Sequence, residues 1–463
     1  MKINSKKILF YLLFTHTILW TSIPAIFNTN LPLDTIEALA WGNELSLGYD
    51  KYPPVFPLFT ELFFKLFGNQ DWAYYLLSQL FVVTSFFVIF QFSKYFFNNN
   101  THSLLSVLLL EGVYFFNYTT PELNAFIPLF PLLATTVLFC WRAIKFNRNF
   151  DWIIFGIFAG ISSLTYYLAL YLLASLTIFF IGEILTKKKI NNKYFLALAS
   201  YIIVLSPHLY FVFDNNYKSI EYAFFRSFSD PLSDLGTVKI LSHIFYPLIF
   251  LFKQIIILIP LLFLTRIIIS NLKIKINFKD KKLIFLFTIF LLPIILMFLT
   301  SVVGGVRVRT MWMTTFYLFP GVFFIYLYNS KIVLKKLKKF FILFLFIFFI
   351  LPISYGIDSY VQKDKRTDFP GKKIAFKVQK TWDKNFSNSI SIVAGKSWVY
   401  GGWYAGNLSY HLRDRPRLKY NLVDNIDSSE GTVWVDVLNT IKNCEGILLK
   451  VEPYFESCLV GKK

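Results

Sequence analysis

Residues 33–58 read LDTIEALAWGNELSLGYDKYPPVFPL and directly follow a first apolar run at residues 8–27. The stretch combines Trp, Tyr and Leu side chains with the acidic residues Asp34 and Glu37. Aromatic residues of this kind are enriched where a chain lies at a membrane–water interface. The stretch therefore predicts a loop that lies against a membrane and presents carboxylates to a membrane-borne substrate.

The composition of the 463-residue chain indicates a protein that crosses a membrane many times. Hydrophobic residues make up 56% of the chain and aromatic residues 20%, which is outside the usual range of soluble domains. Apolar runs long enough to cross ~30 Å of hydrocarbon as a helix recur along the chain, whereas a barrel would show short alternating segments. We predict an all-α polytopic membrane protein with about eleven transmembrane helices. The predicted spans are residues 8–27, 72–96, 103–118, 122–145, 152–166, 167–185, 194–213, 241–268, 283–303, 311–329 and 338–355.

Positive charge predicts the orientation, because Lys and Arg in short loops stay on the cytoplasmic side. The chain start and four loops are rich in Lys and Arg: residues 142–148, 187–193, 273–282 and 331–339. The opposite loops are poor in Lys and hold most of the loop carboxylates: residues 28–71, 119–121, 214–240 and 304–310. We expect a plasma (inner) membrane protein with a cytoplasmic N-terminus. The net charge of +20 then reflects topology, and no nucleic-acid partner is expected.

The chain divides into two predicted parts. Residues 1–355 form the transmembrane part, with a catalytic first outer loop at residues 28–71. Residues 356–463 contain no apolar run of span length and form a small extracytoplasmic α/β domain. Its predicted strands are the short runs at residues 389–394, 432–437 and 446–451.

Two shorter features complete this division. Residues 55–67 are apolar but too short to cross a membrane, so we expect a helix on the outer surface. Cys444 and Cys458 lie in the outer domain, where an oxidising compartment would allow a disulfide; two separate thiols are the alternative. Cys140 lies in an apolar span and is expected to be a buried side chain. No zinc-ligand spacing is present, so no metal site is predicted, although a divalent metal is left open.

Several motifs, each loose on its own, together resemble the GT-C membrane glycosyltransferases. The resemblance is to the bacterial group related to protein O-mannosyltransferases and the lipid A aminoarabinose transferase. It covers most of the chain. The motifs are LDTIEALAWG with Asp34, GYDKYPP at residues 48–54, FGNQDWAYYLLSQL at 67–80, TPELNAFIPLFPL at 120–132, GGVRVRTMWM at 304–313 and GGWYAGNLSYHLRDRP at 401–416.

The resemblance implies an integral membrane glycosyltransferase that moves a sugar from a polyprenyl-phosphate donor to a lipid, glycan or protein acceptor hydroxyl on the outer face. Such a reaction needs a base near the hydroxyl and cations at the departing phosphate. The resemblance assigns the base to Asp34 and the phosphate contacts to Arg307 and Arg309. Short outward loops are usually poor in Arg, which strengthens the second assignment.

Each assignment has a structural alternative. Asp34 could cap a helix over residues 35–45, with Glu37 as its capping-box partner, and Glu37 is therefore the weaker catalytic candidate. An acid such as Glu122 at the start of a helix is favoured by the helix dipole alone. Lys253 lies inside a span and could pair with Glu111 or extend to the membrane surface. The predicted substrate-binding residues are Lys51, Tyr52, Glu122, Asn124, Arg226, His243, Lys253, Arg307 and Arg309.

The chain departs from the family pattern at two positions. Tyr52 precedes the Pro pair where many relatives have His or Lys, and Tyr166 stands near a position where many have Lys. No nucleotide-binding motif is present, so the activated lipid-linked sugar would supply the energy. A transporter, flippase or polymerase of lipid-linked glycans is the alternative function. A transporter would more often show two related halves and ionisable groups near the midplane, and no internal repeat is visible here.

Overall fold

A computed structural model of the chain describes residues 4–228, 236–274, 276–395, 402–420 and 429–463. The predicted outer loop at residues 214–240 thus lies partly outside the described residues. The described part is mainly helical, followed by a small sheet near the end of the chain. In chain order the helices are α1 (Ser5–Phe27), α2 (Leu33–Gly42), α3 (Val55–Phe67), α4 (Asp71–Ser93), α5 (Asn100–Leu108), α6 (Phe126–Phe146), α7 (Asn149–Ser163), α8 (Ala169–Lys187), α9 (Tyr194–Asp214), α10 (Lys218–Phe228), α11 (Gly236–Ile268), α12 (Lys281–Gly304), α13 (Pro320–Leu327), α14 (Leu337–Val361), α15 (Gly371–Asn385) and α16 (Trp403–His411).

Eight of the described helices are long and apolar enough to cross a membrane: α1, α4, α6, α8, α9, α11, α12 and α14. The count becomes nine when a bent pair, the 3-10 helix Thr310–Tyr317 and α13, is taken as one span. Pro320 begins α13, and a proline disfavours helical geometry at the residue before it, which accounts for a break at this position. The polytopic helical fold is confirmed, whereas the predicted count of eleven spans is not.

The predicted span at residues 103–118 is broken because buried polar groups replace helical hydrogen bonds. α5 ends at Leu108 and two short 3-10 turns follow. In the first turn, the buried Glu111 carboxylate lies 2.8 Å from His16 Nδ1 on α1, and Asn117 Nδ2 donates to the Glu111 carbonyl at 2.9 Å. Glu111 therefore pairs with His16, which corrects the suggested pairing with Lys253. The predicted span at residues 152–166 corresponds to α7, which has only 15 residues.

The sheet near the end of the chain has five described strands: β1 (Ile392–Gly395), β2 (Arg417–Tyr420), β3 (Thr432–Asp436), β4 (Ile447–Val451) and β5 (Phe455–Val460). Their order is β2-β1-β3-β5-β4, with β1 parallel to both neighbours and β5 antiparallel to both of its own. α15 and α16 pack on this sheet around a core that includes Val378, Leu408 and Val433. Cys444 and Cys458 are joined in a disulfide. The arrangement is a small α/β domain, as predicted.

Candidate active site

Asp34 lies in the first turn of α2 but does not cap the helix. The N-cap position is Pro32, and no side chain caps this helix end. The next residue fixes the helix in place, because Thr35 Oγ1 donates to the Leu123 carbonyl at 2.8 Å in a buried hydrogen bond. The capping-box alternative is therefore wrong. Asp34 is half-buried.

Glu37 lies one turn further along α2 and is almost completely buried, with 1% of its surface exposed. Lys51 Nζ lies 2.5 Å from Glu37 Oε2. Burial raises the pKa of Glu37 to about 7, and the Lys51 charge acts in the opposite direction. The pair thus holds a carboxylate that changes protonation near neutral pH. Glu37 and Lys51, which are close in sequence, are brought together here.

Aromatic rings surround the Lys51 ammonium. Its Nζ lies 4.8 Å from the ring centroid of Tyr52 and 5.8 Å from that of Tyr222 on α10. Tyr52 in turn contacts Tyr166, with ring centroids 5.6 Å apart. Tyr52 and Tyr166, the two positions that depart from the pattern of the resembled family, are therefore in contact with each other. Such rings favour a nearby cation and exclude water from it.

Two arginines from separate segments approach this cluster. Arg226 lies on α10, one turn after Tyr222, so both residues share a helix face. Arg309 follows an extended segment in which Val306 and Val308 are buried, while Arg307 between them is exposed. Burial, followed by the positive charge of Arg226, lowers the pKa of Arg309. Arg226 and Arg309 therefore form a group of positive charge at one side of the site, whereas Arg307, the other predicted phosphate contact, is exposed.

Two cavities border this group. Cavity A has a volume of about 320 Å³, and its lining includes Lys51, Tyr166, Tyr222, Arg226 and Trp312. Cavity B also has a volume of about 320 Å³, and its lining includes Tyr114, Glu122, Asn124, Arg309 and Thr314. Arg309 borders cavity B and lies 6.0 Å from the ring of Trp312, which lines cavity A. Arg309 therefore borders cavity B close to a residue that lines cavity A.

Glu122 and Asn124 differ in their roles within cavity B. Desolvation, followed by the negative charge of nearby Asp34, raises the pKa of Glu122. Asn124 is buried, and its side-chain oxygen accepts a hydrogen bond from the Phe126 amide at 3.0 Å at the start of α6. Asn124 thus shapes the cavity wall, whereas Glu122 presents its carboxyl group to the cavity near Asp34.

A groove with an apolar lining lies beside cavity A, between α8 and α12. It has a volume of about 600 Å³, and its lining includes Leu170, Ala174, Leu299 and Val303. Tyr171 and Thr300 line both the groove and cavity A, and their hydroxyls lie 2.9 Å apart. Cavity A, whose lining includes the charged residues Lys51 and Arg226, thus shares a wall with an apolar path between two candidate spans. We call this path the lateral groove.

Four predicted substrate-binding residues line neither cavity: Tyr52, Arg307, His243 and Lys253. Tyr52 packs on Tyr166, and Arg307 is exposed. His243 on α11 lies with Nδ1 2.7 Å from the Val302 carbonyl and packs against Gly305, just before the arginine segment. Lys253 lies deeper in α11 and is half-buried. Within the described residues, no carboxylate forms an ion pair with Lys253. The geometry gives no support for a substrate contact of His243 or Lys253.

Three residues that sequence reasoning passed over contribute to the site. Tyr222 and Trp312 line cavity A, and the spacing of four residues between Tyr222 and Arg226 could have revealed the first of them. His208 on α9 is buried. Its Nδ1 lies 2.8 Å from the Leu47 carbonyl, and its Nε2 lies 2.8 Å from the hydroxyl of Tyr167. His208 thereby ties the first loop to the wall of cavity A.

The domain near the chain end covers α2 and α3. Arg415 Nη2 donates to the Leu39 carbonyl at 2.7 Å and to Glu61 at 3.1 Å, and its guanidinium lies 3.6 Å from the Phe64 ring centroid. Asn43, just after α2, donates in return to the Arg415 carbonyl at 2.8 Å. The helix that carries Asp34 is therefore held by a residue near the end of the chain.

A second contact lies beside α16. The Tyr410 hydroxyl donates to Asp71 at 2.8 Å at the start of α4. Asn30 Nδ2 donates to Asn407 at 2.8 Å, and His411 Nε2 lies 3.1 Å from the Asn30 side-chain oxygen. Burial, followed by the charge of Lys372, lowers the pKa of His411 to about 4. The imidazole is therefore neutral over most of the physiological pH range.

Metal binding finds no support in the described residues, which contain no group of three or more His, Cys, Asp or Glu side chains placed to hold an ion. The positive charge at the site comes from Lys51, Arg226 and Arg309 instead. This distribution suits an anionic ligand, because Arg presents a planar set of donors that matches phosphate oxygens.

Comparisons with known proteins show which fold the chain has. The family model for dolichyl-phosphate-mannose-protein mannosyltransferases matches residues 51–211. The crystal structure of ArnT from Cupriavidus metallidurans bound to undecaprenyl phosphate superposes with a TM-score of 0.62 over 99% of this chain and 98% of that chain. The chain has the fold of GT-C membrane glycosyltransferases. The resemblance predicted from the sequence motifs is thus confirmed.

The same ArnT in the apo state superposes with a TM-score of 0.60, again over 99% of this chain and 98% of that chain. The identity to both ArnT structures is 10%, so the likeness concerns the fold and not individual residues. No curated protein sequence matches the chain. The segment matched by the family model includes Lys51, Tyr52 and Glu122, whereas Asp34 and Arg309 lie outside it. The family match therefore says nothing about Asp34 and Arg309, and their roles must be argued from the geometry of the site.

Proposed function

We propose that the protein is a membrane glycosyltransferase that moves a sugar from a polyprenyl-phosphate donor to an acceptor hydroxyl on the outer face of the plasma membrane. The observation that carries this proposal is the position of Asp34 near a group of positive charge that borders two cavities, one of which shares a wall with an apolar groove. A transporter or flippase of lipid-linked glycans, the alternative function, would not need a carboxylate beside a phosphate-binding group. A lipid-linked sugar matches it in charge, polarity and shape.

The donor occupies cavity A and the lateral groove. Its polyprenyl chain lies against Leu170, Leu299 and Val303, where apolar side chains replace hydrocarbon contacts. Its phosphate lies at the polar end of the groove, within reach of Lys51 and Arg226, which line cavity A. The bound undecaprenyl phosphate of the similarly folded ArnT supports a donor of this class.

The acceptor occupies cavity B, whose wall includes Glu122 and Arg309. Asp34 takes the proton from the acceptor hydroxyl as its oxygen forms a bond to the anomeric carbon of the sugar. The bond between that carbon and the phosphate oxygen breaks, and the electron pair leaves with the polyprenyl phosphate. Arg226 and Arg309 stabilise the charge that develops on the departing phosphate. General-base catalysis of this kind typically contributes about 10²- to 10⁴-fold to the rate.

The distribution of charge supports the proposed orientation. The site residues Asp34, Glu122, Arg226 and Arg309 come from segments outside the eight candidate spans, and each of these segments was predicted to be outward or to border an outward loop. The Lys-rich connections at residues 188–193 and 329–336 contribute no residue to either cavity. Because Lys-rich short loops stay cytoplasmic, the site and the domain near the chain end would face outward.

The test is mass spectrometry of envelope glycolipids and glycoproteins from a deletion strain that carries the wild-type gene or Asp34→Asn at equal expression. Loss of one sugar mass from one conjugate, restored by the wild type but not by Asp34→Asn, supports the proposal and names the acceptor. Full restoration by Asp34→Asn would remove the base from the mechanism. Accumulation of lipid-linked precursors with loss of whole outer glycans would support a transporter instead.

A further inference from the structure

α15 carries a positively charged face that the proposed reaction does not use. Five lysines of this helix are exposed: Lys372, Lys373, Lys377, Lys380 and Lys384. With about 100° between successive residues, they fall on one arc of roughly 140°. Phe376 lies within the same arc and is 70% exposed. We call these six residues the lysine face.

The opposite side of α15 packs in the core of the domain. Ile374, Val378 and Trp382 are buried against the sheet and α16. The core-forming side of α15 is thus already packed, and the lysine face is a separate surface of the same helix. Its side chains are exposed and do not contribute to the core of the domain.

The lysines are not neutralised within the described residues. No carboxylate there forms an ion pair with any of the five. Lys377 Nζ donates to the Lys450 carbonyl at 3.3 Å. Asp383, the single acidic residue of α15, is paired with Arg413 at 3.2 Å. The face therefore keeps its full positive charge toward any external partner.

The start of α15 is held beside the ends of two candidate spans. α1 ends at Phe27 and α14 at Val361. The amides of Thr29 and Asn30 both donate to the Thr367 carbonyl at 2.9 Å, only a few residues before α15 begins. The first turns of the lysine face therefore lie near the level at which α1 and α14 leave the membrane.

We propose that the lysine face binds the anionic headgroups of the membrane from which α1 and α14 emerge. Clusters of basic residues beside a transmembrane helix are attracted to anionic lipid surfaces within about a Debye length. An exposed aromatic ring among such residues enters the interface at headgroup level. This contact would set the tilt of the outer domain relative to the membrane. Because Arg415 joins that domain to α2, it would also influence the position of α2.

The test uses the full-length protein in phosphatidylcholine nanodiscs with or without phosphatidylglycerol. A Phe376→Cys variant carries an environment-sensitive fluorophore. Labelling is selective because Cys140 is buried and Cys444 and Cys458 form a disulfide. With phosphatidylglycerol present, quenching by a headgroup-level quencher should rise at least about twofold and should fall again as salt is added, because exposed charges are screened.

Two variants of the labelled protein decide the result. Replacement of all five lysines of the face by Gln should abolish the effect of phosphatidylglycerol. Replacement of Lys442, Lys462 and Lys463, which are exposed elsewhere in the same domain, should leave it intact. Equal quenching in both lipids, or an unchanged response in the five-Gln variant, would overturn the proposal. A response to a soluble acidic polysaccharide in phosphatidylcholine nanodiscs, without one to phosphatidylglycerol, would also overturn it and would point to a polymer partner.

Discussion

The buried Glu37 carboxylate lies 2.5 Å from the Lys51 ammonium at the wall of cavity A. Because burial raises the pKa of Glu37 to about 7, the carboxylate gains a proton as the pH falls through neutrality and its attraction for Lys51 is lost. We expect kcat/KM to fall about tenfold per pH unit below about pH 7, as for a single essential ionisation.

The Glu37→Gln variant tests this assignment. It should be less active than the wild type above pH 7 and should lack the inflection near that pH. Glu44→Gln alters an exposed carboxylate in the same loop and should keep the wild-type profile. An inflection that persists in Glu37→Gln would assign the titration to another group.

Asp34→Asn should lower kcat by about 10²- to 10⁴-fold, because the amide cannot accept the acceptor proton. Binding of undecaprenyl phosphate should change little, since no direct phosphate contact is proposed for Asp34. The measurement pairs a sugar-transfer assay with purified protein and a lipid-binding assay. The control is Asp50→Asn, which alters an exposed acid in the same stretch. Substantial activity in Asp34→Asn would exclude its role as base.

Arg309→Gln should weaken binding of undecaprenyl phosphate by about ten- to a hundredfold, the range expected for loss of charge-assisted hydrogen bonds. Arg309→Lys should recover part of the affinity, because it restores charge without the planar donor geometry. Direct binding of labelled undecaprenyl phosphate in detergent gives the measurement. Arg148→Gln, at an exposed position before α7, should bind normally. Equal losses in Arg309→Gln and Arg148→Gln would indicate a general charge effect instead.

His411 should make stability depend on pH. Its pKa in the folded protein is about 4, below the ordinary value of about 6.5, so the unfolded chain binds the proton more tightly. The stabilising contribution is present above about pH 6.5 and is lost as the pH falls toward 4, by up to about 3 kcal/mol. Thermal unfolding should show a decrease in Tm over this window that is smaller in His411→Gln. An identical pH dependence in both proteins would contradict this account.

Arg415→Ala should destabilise the contact between the outer domain and α2. It removes the partner of the Leu39 carbonyl and of Glu61 and should cost about 2–3 kcal/mol. Both Tm and transfer activity should fall, because α2 carries Asp34. Arg413→Ala removes a neighbouring arginine that is largely exposed and should change little. Unchanged activity in Arg415→Ala would show that α2 keeps its position without this contact.

Features encoded within one segment could be predicted from the sequence. Asp34, Glu37 and Lys51 stand in a single stretch whose composition suits a membrane interface. In the structure Lys51 lines cavity A and pairs with Glu37, and the charge of Asp34 acts on Glu37 and Glu122. The helix Val55–Phe67 has the predicted bounds, because its apolar run begins directly after a Pro pair and ends before Gly68. Arg309 could be selected because short outward loops seldom contain Arg.

Features that depend on distant partners could not be predicted. The break after Leu108 depends on a bond between Glu111 and His16, which are 95 residues apart. Hydrophobic periodicity carries no information about such a pair, so an unbroken span was expected. The contribution of Tyr222 depends on where α10 packs. The strand order β2-β1-β3-β5-β4 includes Arg417–Tyr420, which has too few apolar residues to be recognised as a strand.

The bond between Arg415 and Leu39 joins residues that are 376 positions apart. During synthesis, α2 leaves the ribosome long before the residue that secures it. The contact of Arg415 with α2 can therefore form only after most of the chain has been made. A chain released before residue 415 would lack this contact, and α2 would be held by earlier bonds such as the one from Thr35 to the Leu123 carbonyl.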